Sequence, residues 1–424
     1  MNGRRQGGEM MEASIMNIVQ HELYMITMVF LFGLIAIKAA ERIKIPDVAL
    51  FMIVGIMLGP SVLKLITAPI DSVSYQFIIV IGSILILFEG GRAIQFSILK
   101  RVWLTISLLS IVGVVVTAVV VAFSAYYLLD LPVLYALLLA SVIASTDPAT
   151  LIPVFKQIAI REKVRQTVES ESAFNDATAS ILTFTLLGVI LGQTELSFSS
   201  SLWSFVREAG GGVLIGSLIG FVGIILTAEH KWGLLQKHGT IVSLVVAISS
   251  YLLAGTIEAS GLMATFTAGL VSGNPQLFRF QISKEVNLST FNFSETLTLL
   301  LRTLIFMLLG TQVDFNVLSK FWLQGTLIVL IFMFVARPLT VLLCTLPDRK
   351  AKWSWNEIVF MFWVRETGVI PAALSGMIVA AGVDFANEIS SVTFIAILVT
   401  ILIQASTTPY VAKKLGIILK PPIK

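Results

Sequence analysis

Charged residues are scarce in this 424-residue chain, because only 13% of its residues are Asp, Glu, Lys or Arg. A soluble globular protein usually carries about 25% charged residues. Hydrophobic residues make up 56% of the chain, and they come in blocks of the length that crosses a hydrocarbon core of roughly 30 Å. A soluble protein with large buried helices is excluded, since too few polar residues remain to cover them. We therefore predict an all-α polytopic membrane protein.

Cysteine and histidine are almost missing as well. The single cysteine, Cys344, lies in an apolar run and excludes a disulfide framework. The three histidines, His21, His230 and His238, are too scattered for a metal cluster. The sequence contains no Walker-type glycine loop, and its net charge of +4 is spread along loops. We expect no enzyme activity, no cofactor, no ATP, no nucleic-acid partner and no cleavable signal in the first 20 residues.

Long polar stretches are lacking too, so the chain divides into closely spaced apolar runs. We predict about 13 transmembrane helices, numbered as spans 1 to 13, near 22–40, 46–63, 74–90, 102–128, 132–155, 164–191, 203–228, 239–256, 260–275, 289–311, 318–346, 357–381 and 391–412. Spans 1–6 and 8–13 would form inverted repeats, with span 7 as a linker helix.

The positive charges test this count. Of the 29 lysines and arginines, 21 fall in the odd-to-even connections and the C-terminal tail, four fall on the opposite side, and four lie within spans. Lys and Arg gather on the cytoplasmic side of a membrane protein. The alternation therefore predicts a multi-pass cell-membrane protein with its N-terminus outside and its C-terminus in the cytoplasm.

One stretch, ESESAFNDATAS at 169–180, places charge inside a predicted span. Asp176 lies 12 residues into span 6, which is about 18 Å along a helix. An ionisable side chain near the bilayer centre is a functional-site hypothesis by default. Ser172 and Asp176 share one helix face, and Glu171 and Asn175 share an adjacent face. The alternative is a structural polar patch that neighbouring helices satisfy.

Two further stretches indicate broken helices at membrane depth. In ASTDPATLIP at 144–153, Pro148 disfavours helical geometry at Asp147, so Thr146 and Asp147 are expected where span 5 unwinds. Such backbone is tolerated only against protein or a water-filled cavity. Carbonyl, hydroxyl and carboxylate oxygens there could bind a small cation, or Asp147 could cap the following half-helix. A second break is predicted in span 12, within WVRETGVIPAALSG at 363–376.

Arg337 lies between apolar residues of span 11, in FMFVARPLTVLL. A lone buried arginine is too costly to leave unpaired. Glu171 is our candidate partner, because it points away from the face that carries Ser172 and Asp176. This pair would be structural and would leave Asp176 as the titrating acid.

Together, TDPATLIPVF at 146–155, ESESAFND at 169–176 and VARP at 335–338 resemble the NhaP type of sodium/proton exchanger, within the monovalent cation/proton antiporter superfamily. The resemblance covers the whole membrane domain. It implies 13 helices, with spans 5 and 12 unwound and crossing near the midplane. It further implies a core bundle (102–191 plus 318–412) that moves against a scaffold and dimerisation bundle (22–90 plus 239–311), linked by 203–228, in a homodimer.

The resemblance also implies that Asp176 binds the cation and the proton alternately, in an electroneutral one-to-one exchange of Na⁺ or Li⁺ for H⁺. Ser172, Thr146 and Asp147 would help to bind the ion. Asn175 would hold the position that carries a second aspartate in the electrogenic branch, and Arg337 would pair with Glu171. Many relatives read Gly-Pro-Arg-Gly in span 12, where this chain reads Arg365-Glu366-Thr367-Gly368.

That departure puts Thr367 at the usual arginine position and keeps a K⁺/H⁺ antiporter open as the alternative. Two other classes remain as hypotheses. A cation uniporter or channel needs a continuous pore, and a single aspartate gives no filter ring. A receptor or scaffold without transport would leave the Thr146, Asp147 and Asp176 cluster unexplained.

Overall fold

A computed structural model of the chain describes residues 2–43, 45–69, 72–193, 198–229 and 233–419. In this part, nine helices are long and apolar enough to cross a membrane, and four shorter apolar helices lie where spans 2, 5, 9 and 12 are predicted. The prediction of an all-α polytopic membrane protein is confirmed. His230 and four of the counted lysines, Lys44, Lys231, Lys420 and Lys424, lie outside the described residues.

The helices follow the predicted order, and each span keeps its number. In chain order they are Asn2–Ile43, Asp47–Leu58, Val73–Ala93, Phe96–Leu129, Val133–Ile143 with Pro148–Gln157, Glu162–Ile190, Phe198–Thr227, Gly239–Thr256, Gly261–Ser272, Lys284–Thr311, Phe315–Thr345, Trp355–Trp363 with Val369–Ala380, and Ala386–Lys414.

Spans 5 and 12 are each broken into two half-helices, as predicted, and the two breaks touch. The Asp147 N–H donates to the Glu366 carbonyl at 2.9 Å. Gly368 has φ of −159° and ψ of −121°, so it does not lie in the left-handed region where glycine is the default residue. A Cβ at position 368 would instead collide with the carboxylate of Asp147. The crossing of the two breaks therefore depends on the missing side chain of Gly368.

Glycines bring span 7 close to span 9. A Cβ on Gly212, Gly216 or Gly220 would collide with span 9 or the Ser260 carbonyl just before it, including the backbone at Ala264 and Ala268. This spacing of small residues is the pattern that lets membrane helices pack closely. Span 7 consequently lies against spans 8 and 9 along its length.

A buried ion pair joins span 2 to span 10. Arg302 Nη2 lies 2.5 Å from the carboxylate of Asp47, and both side chains are largely buried. An unpaired charge at this depth would be costly. The pair therefore fixes two helices whose residues are 255 positions apart in the chain.

Candidate ion-binding site

Asp176 lies at the centre of span 6. The helix Glu162–Ile190 has 29 residues, so Asp176 is about 21 Å from either end at 1.5 Å per residue. Its side chain is 0% exposed. A carboxylate at this depth has lost its water and depends on protein groups for compensation.

One carboxylate oxygen of Asp176 has a hydrogen-bond donor and the other has none. The Ser145 hydroxyl donates to Oδ1. Among the described residues, Oδ2 accepts no hydrogen bond. Sequence reasoning missed Ser145, because a serine in an apolar run is ordinary in membrane helices. Its position directly before Thr146, in the predicted break, was the signal available.

The break of span 5 is fastened to span 6 by Thr146. Its hydroxyl donates to the Ser172 hydroxyl at 2.9 Å, and its N–H donates to the Asn175 side-chain carbonyl at 3.2 Å. The Asn175 amide donates back to Thr146 Oγ1 at 2.8 Å. The structure thus brings Thr146, Ser172 and Asn175 into one hydrogen-bonded group, next to the contact between Ser145 and Asp176.

Asp147 binds the N-terminal ends of two half-helices. Its Oδ2 accepts from the Thr150 hydroxyl at 3.0 Å and from the Val369 N–H at 3.3 Å. Helix N-termini carry partial positive charge, so both ends stabilise an ionised carboxylate. Within span 5 the Asp147 side chain accepts from the Thr150 hydroxyl rather than from a backbone N–H, so its side-chain contact with a helix N–H is at the start of the second half of span 12.

A small cavity lies next to Asp147 and Asp176. Its volume is about 10 Å³, roughly the space that one water molecule needs. Spans 3, 10 and 12 contribute to its walls, through Ser83, Ile86, Leu87, Ile305, Val369 and Ile370. The site is thus covered by apolar side chains of spans 3 and 10 rather than open to bulk water.

Arg337 pairs with Glu171 through two contacts. Nη1 lies 2.5 Å from Oε1 and Nη2 lies 3.0 Å from Oε2. The guanidinium also donates to the carbonyls of Met361 at 2.8 Å and Val364 at 3.0 Å. Arg337 follows one π-helical turn, Phe332–Ala336. The pairing expected from sequence is present and joins span 6 to span 11, and the same guanidinium binds the end of the first half of span 12.

In the described part of the chain, no hydrogen bond joins Thr367 to the Asp176 carboxylate. Its N–H donates to the Thr400 hydroxyl of span 13 at 3.0 Å. The positive charge at the crossing of spans 5 and 12 comes instead from Arg365, two positions earlier. Arg365 Nη2 donates to the Ala144 carbonyl at 2.6 Å, and its guanidinium lies 5.0 Å from the centre of the Phe332 ring. Arg365 thereby places positive charge at the C-terminal end of the first half-helix of span 5.

A comparison with known families decides the classification. Residues 26–414 match the family described as "Sodium/hydrogen exchanger, transmembrane". The chain belongs to this family.

Individual members of the family show similarity along most of their length. The chain is 30% identical to the Na⁺/H⁺ antiporter ApNhaP of Aphanothece halophytica, over 88% of this chain and 70% of that protein. It is 29% identical to the K⁺/H⁺ antiporter NhaP of Alkalimonas amylolytica, over 94% of this chain and 67% of that one.

The fold also matches an exchanger of known structure. The sodium proton antiporter MjNhaP1 of Methanocaldococcus jannaschii, at pH 8, superposes with a TM-score of 0.75 and 29% identity. The match covers 94% of this chain and 99% of that one. The polytopic architecture with broken spans 5 and 12 is therefore that of a sodium/hydrogen exchanger.

Proposed function

We propose that the protein is a secondary active antiporter that exchanges Na⁺ or Li⁺ for H⁺ across the cell membrane. The observation that carries this proposal is the carboxylate of Asp176. It is fully buried at the centre of its span, and within the described residues its Oδ2 has no hydrogen-bond partner. A proton or a small cation can occupy the same oxygen, but not both.

The cation would be bound by oxygen atoms of spans 5 and 6. Asp176, Ser172, Thr146 and Asp147 form this proposed set, and the geometry adds Ser145, whose hydroxyl already contacts Asp176. Hydroxyl groups can turn from donating to a carboxylate to presenting an oxygen to a cation. Asn175, Glu171, Arg337 and Thr367 would hold these elements in place. Na⁺ is the transported substrate here, not a resident metal.

One exchangeable carboxylate explains an electroneutral exchange of one proton per cation. Arg337 neutralises Glu171, and Asp147 accepts from the Thr150 hydroxyl and the Val369 N–H. Asp176 then alternates between a protonated and a cation-bound form, and both forms are neutral. The empty, charged form is held back, because an unpaired charge is costly to carry through a low-dielectric region.

Alternating access would follow from movement between two bundles. The core (102–191 plus 318–412) carries Asp176, and the scaffold (22–90 plus 239–311) supplies Ile86, Leu87 and Ile305 that cover it. Sliding the core past these side chains would open the site to one side and then to the other. We further propose a homodimer in membrane lipid, with the N-terminus outside and the C-terminus cytoplasmic, on the basis of the charge alternation and the family.

A K⁺/H⁺ antiporter is the second candidate. The resemblance places Thr367 where many relatives carry arginine, and Arg365, two positions earlier, binds the Ala144 carbonyl at the crossing. Relatives named as K⁺/H⁺ antiporters match the chain about as well as the Na⁺/H⁺ antiporters do. The same fold and the same carboxylate would serve either cation.

The test is proton exchange in proteoliposomes that contain a pH-sensitive dye. Na⁺, Li⁺ or K⁺ is added in turn, with the membrane potential clamped and then unclamped. We expect Na⁺ and Li⁺ to drive proton movement that does not depend on potential. A response to K⁺ alone would mean that K⁺ is the substrate, and the site assignment would stand.

Asp176→Asn supplies the control for the site. This variant should fold and insert normally, and it should lose exchange with all three cations. Full activity in folded Asp176→Asn protein would refute the site assignment. If none of the three cations drives proton movement by folded wild-type protein, the proposed function itself is refuted.

A further inference from the structure

Arg365 is a buried cation whose contacts differ from those of the other buried arginines. It is 2% exposed. Arg302 and Arg337 each pair with a carboxylate, whereas the Arg365 guanidinium contacts a backbone carbonyl and the face of the Phe332 ring. Its Nε finds no acceptor in the part of the chain that the structure describes. Burying a charge against such weak partners is costly, which indicates a role beyond packing.

The carbonyl that Arg365 binds belongs to Ala144, the C-terminal cap of the half-helix Val133–Ile143. The last carbonyls of a helix have no partner within it, and Ala144 is 0% exposed, away from bulk water. Arg365 Nη2 lies 2.6 Å from this oxygen, the short distance of a charge-assisted hydrogen bond. The Ala144 N–H donates to the Ala140 carbonyl at 3.0 Å. Both polar groups of Ala144 are therefore fixed, one by its own helix and the other by Arg365.

Fixing this carbonyl also orients Ser145. The Ala144 carbonyl and the Ser145 N and Cα lie in one planar peptide unit, so this unit turns less freely while Arg365 binds its oxygen. Ser145 follows directly, where the helix has ended, and its hydroxyl donates to Asp176 Oδ1. On its other side, the Thr146 N–H donates to span 6 at 3.2 Å. Ser145 therefore lies between two anchors, and Arg365 supplies the one that comes from span 12.

Resting on the proposed function, we propose that Arg365 is a positioning residue that holds the Ser145 hydroxyl on Asp176 and thereby sets the affinity for the cation. It acts through the peptide unit of Ala144 and does not touch the ion. Its own charge has the opposite effect, because a nearby positive charge repels a cation. Loss of the contact and loss of the charge therefore change the cation affinity in opposite directions, and only the first effect needs Ser145.

The test is a double-mutant cycle of Arg365→Met and Ser145→Ala. It is read as the Kd for Na⁺, Li⁺ and K⁺ on purified protein, and as their KM in proteoliposomes at constant pH. Arg365→Met should raise both about three- to tenfold when Ser145 is present, within the range found for residues that share a hydrogen-bond network. In Ser145→Ala protein the same substitution should leave both unchanged or lower them, because only the loss of charge remains.

Phe332→Leu is a second way to weaken the contact, and it keeps Arg365 with its charge. It removes the ring whose centre lies 5.0 Å from the guanidinium, so the guanidinium is held less firmly. It should raise the Kd when Ser145 is present and leave it unchanged in Ser145→Ala protein. This variant decides the question if Arg365→Met does not fold.

Thr400→Val is the matched control at the same break of span 12. Thr400 accepts the Thr367 N–H at 3.0 Å, so its loss removes a hydrogen bond that does not involve Ala144. Its effect on the Kd should be the same with and without Ser145. A dependence on Ser145 as large as that of Arg365→Met would mean that any disturbance of the break reaches Ser145, and the specific role of Arg365 would be refuted.

The outcomes separate the role of Arg365 from the proposed function. A Kd that does not rise in Arg365→Met when Ser145 is present, or that rises equally without it, would overturn the positioning role. A protein that binds cations without exchanging them would refute the proposed function, and the Kd cycle would still decide the role of Arg365. Folded wild-type protein that binds none of the three cations would overturn both.

Discussion

At the scale of single residues, the hydroxyl of Ser145 is the group that distinguishes the two oxygens of Asp176. We expect Ser145→Ala to raise the KM for the cation on the order of tenfold at constant pH. Hydrogen bonds to charged groups contribute about 1.5–3 kcal/mol, and about 1.4 kcal/mol is a factor of ten. The measurement is cation-dependent proton exchange in proteoliposomes.

Ser141→Ala is the matched control for this change. Ser141 lies in the half-helix Val133–Ile143, four residues before Ser145, is equally buried, and hydrogen-bonds to Thr183 at 2.8 Å. Its loss should leave the KM unchanged. Equal effects of the two substitutions would mean that Ser145 acts only through helix packing.

Arg337 is a residue whose loss should damage stability more than ion affinity. Removing one partner of a buried ion pair costs about 3–5 kcal/mol, because the other charge is left uncompensated. We expect Arg337→Ala to unfold at a markedly lower temperature in thermal denaturation of the purified protein. Its cation KM, measured in the fraction that is folded, should change little.

The double variant Glu171→Gln/Arg337→Met separates charge from packing. It removes both charges of the pair at once, so it should be more heat-resistant than Arg337→Ala alone. A folded Arg337→Ala protein with normal heat resistance and selectively weak cation binding would reverse the structural role assigned to this residue.

At the scale of elements, the crossing of spans 5 and 12 depends on Gly368. We expect Gly368→Ala to abolish exchange, since the added methyl group collides with the Asp147 carboxylate. Gly210→Ala is the matched control, because a Cβ at position 210 meets nothing within 4 Å. Exchange rate and thermal stability measured side by side provide the test. Normal exchange by Gly368→Ala would show that the two breaks need not touch during transport.

The broken spans also show how far sequence alone could lead. Pro148 predicted the first break, because proline restricts the residue before it, and the i, i+4 spacing placed Ser172 with Asp176. The contact of Arg365 with the Ala144 carbonyl joins positions 221 apart, and no local pattern encodes such a pair. The contact of Ser145 with Asp176 could not be predicted for a similar reason, since it depends on how spans 5 and 6 pack against each other.

At the scale of the whole molecule, the proposed mechanism requires the core bundle to move against the scaffold. This division can be tested with cysteine pairs in a Cys344→Ser background, since Cys344 is the only native cysteine. Gly90 of span 3 faces Ile152 of span 5, because a Cβ on Gly90 would lie 3.1 Å from the end of the Ile152 side chain. A Gly90→Cys/Ile152→Cys pair therefore joins scaffold to core.

Bridging this pair with a short thiol-specific cross-linker that reductant cleaves should stop exchange, and reductant should restore it. Gly82→Cys/Ile305→Cys is the matched control, because Gly82 packs against Ile305 and both lie in the proposed scaffold. The same cross-linker there should leave exchange intact, since spans 3 and 10 would move together. Full exchange with the Gly90/Ile152 bridge in place would rule out sliding at this contact. Loss of exchange with the Gly82/Ile305 bridge would mean that the boundary between the moving parts lies inside the scaffold.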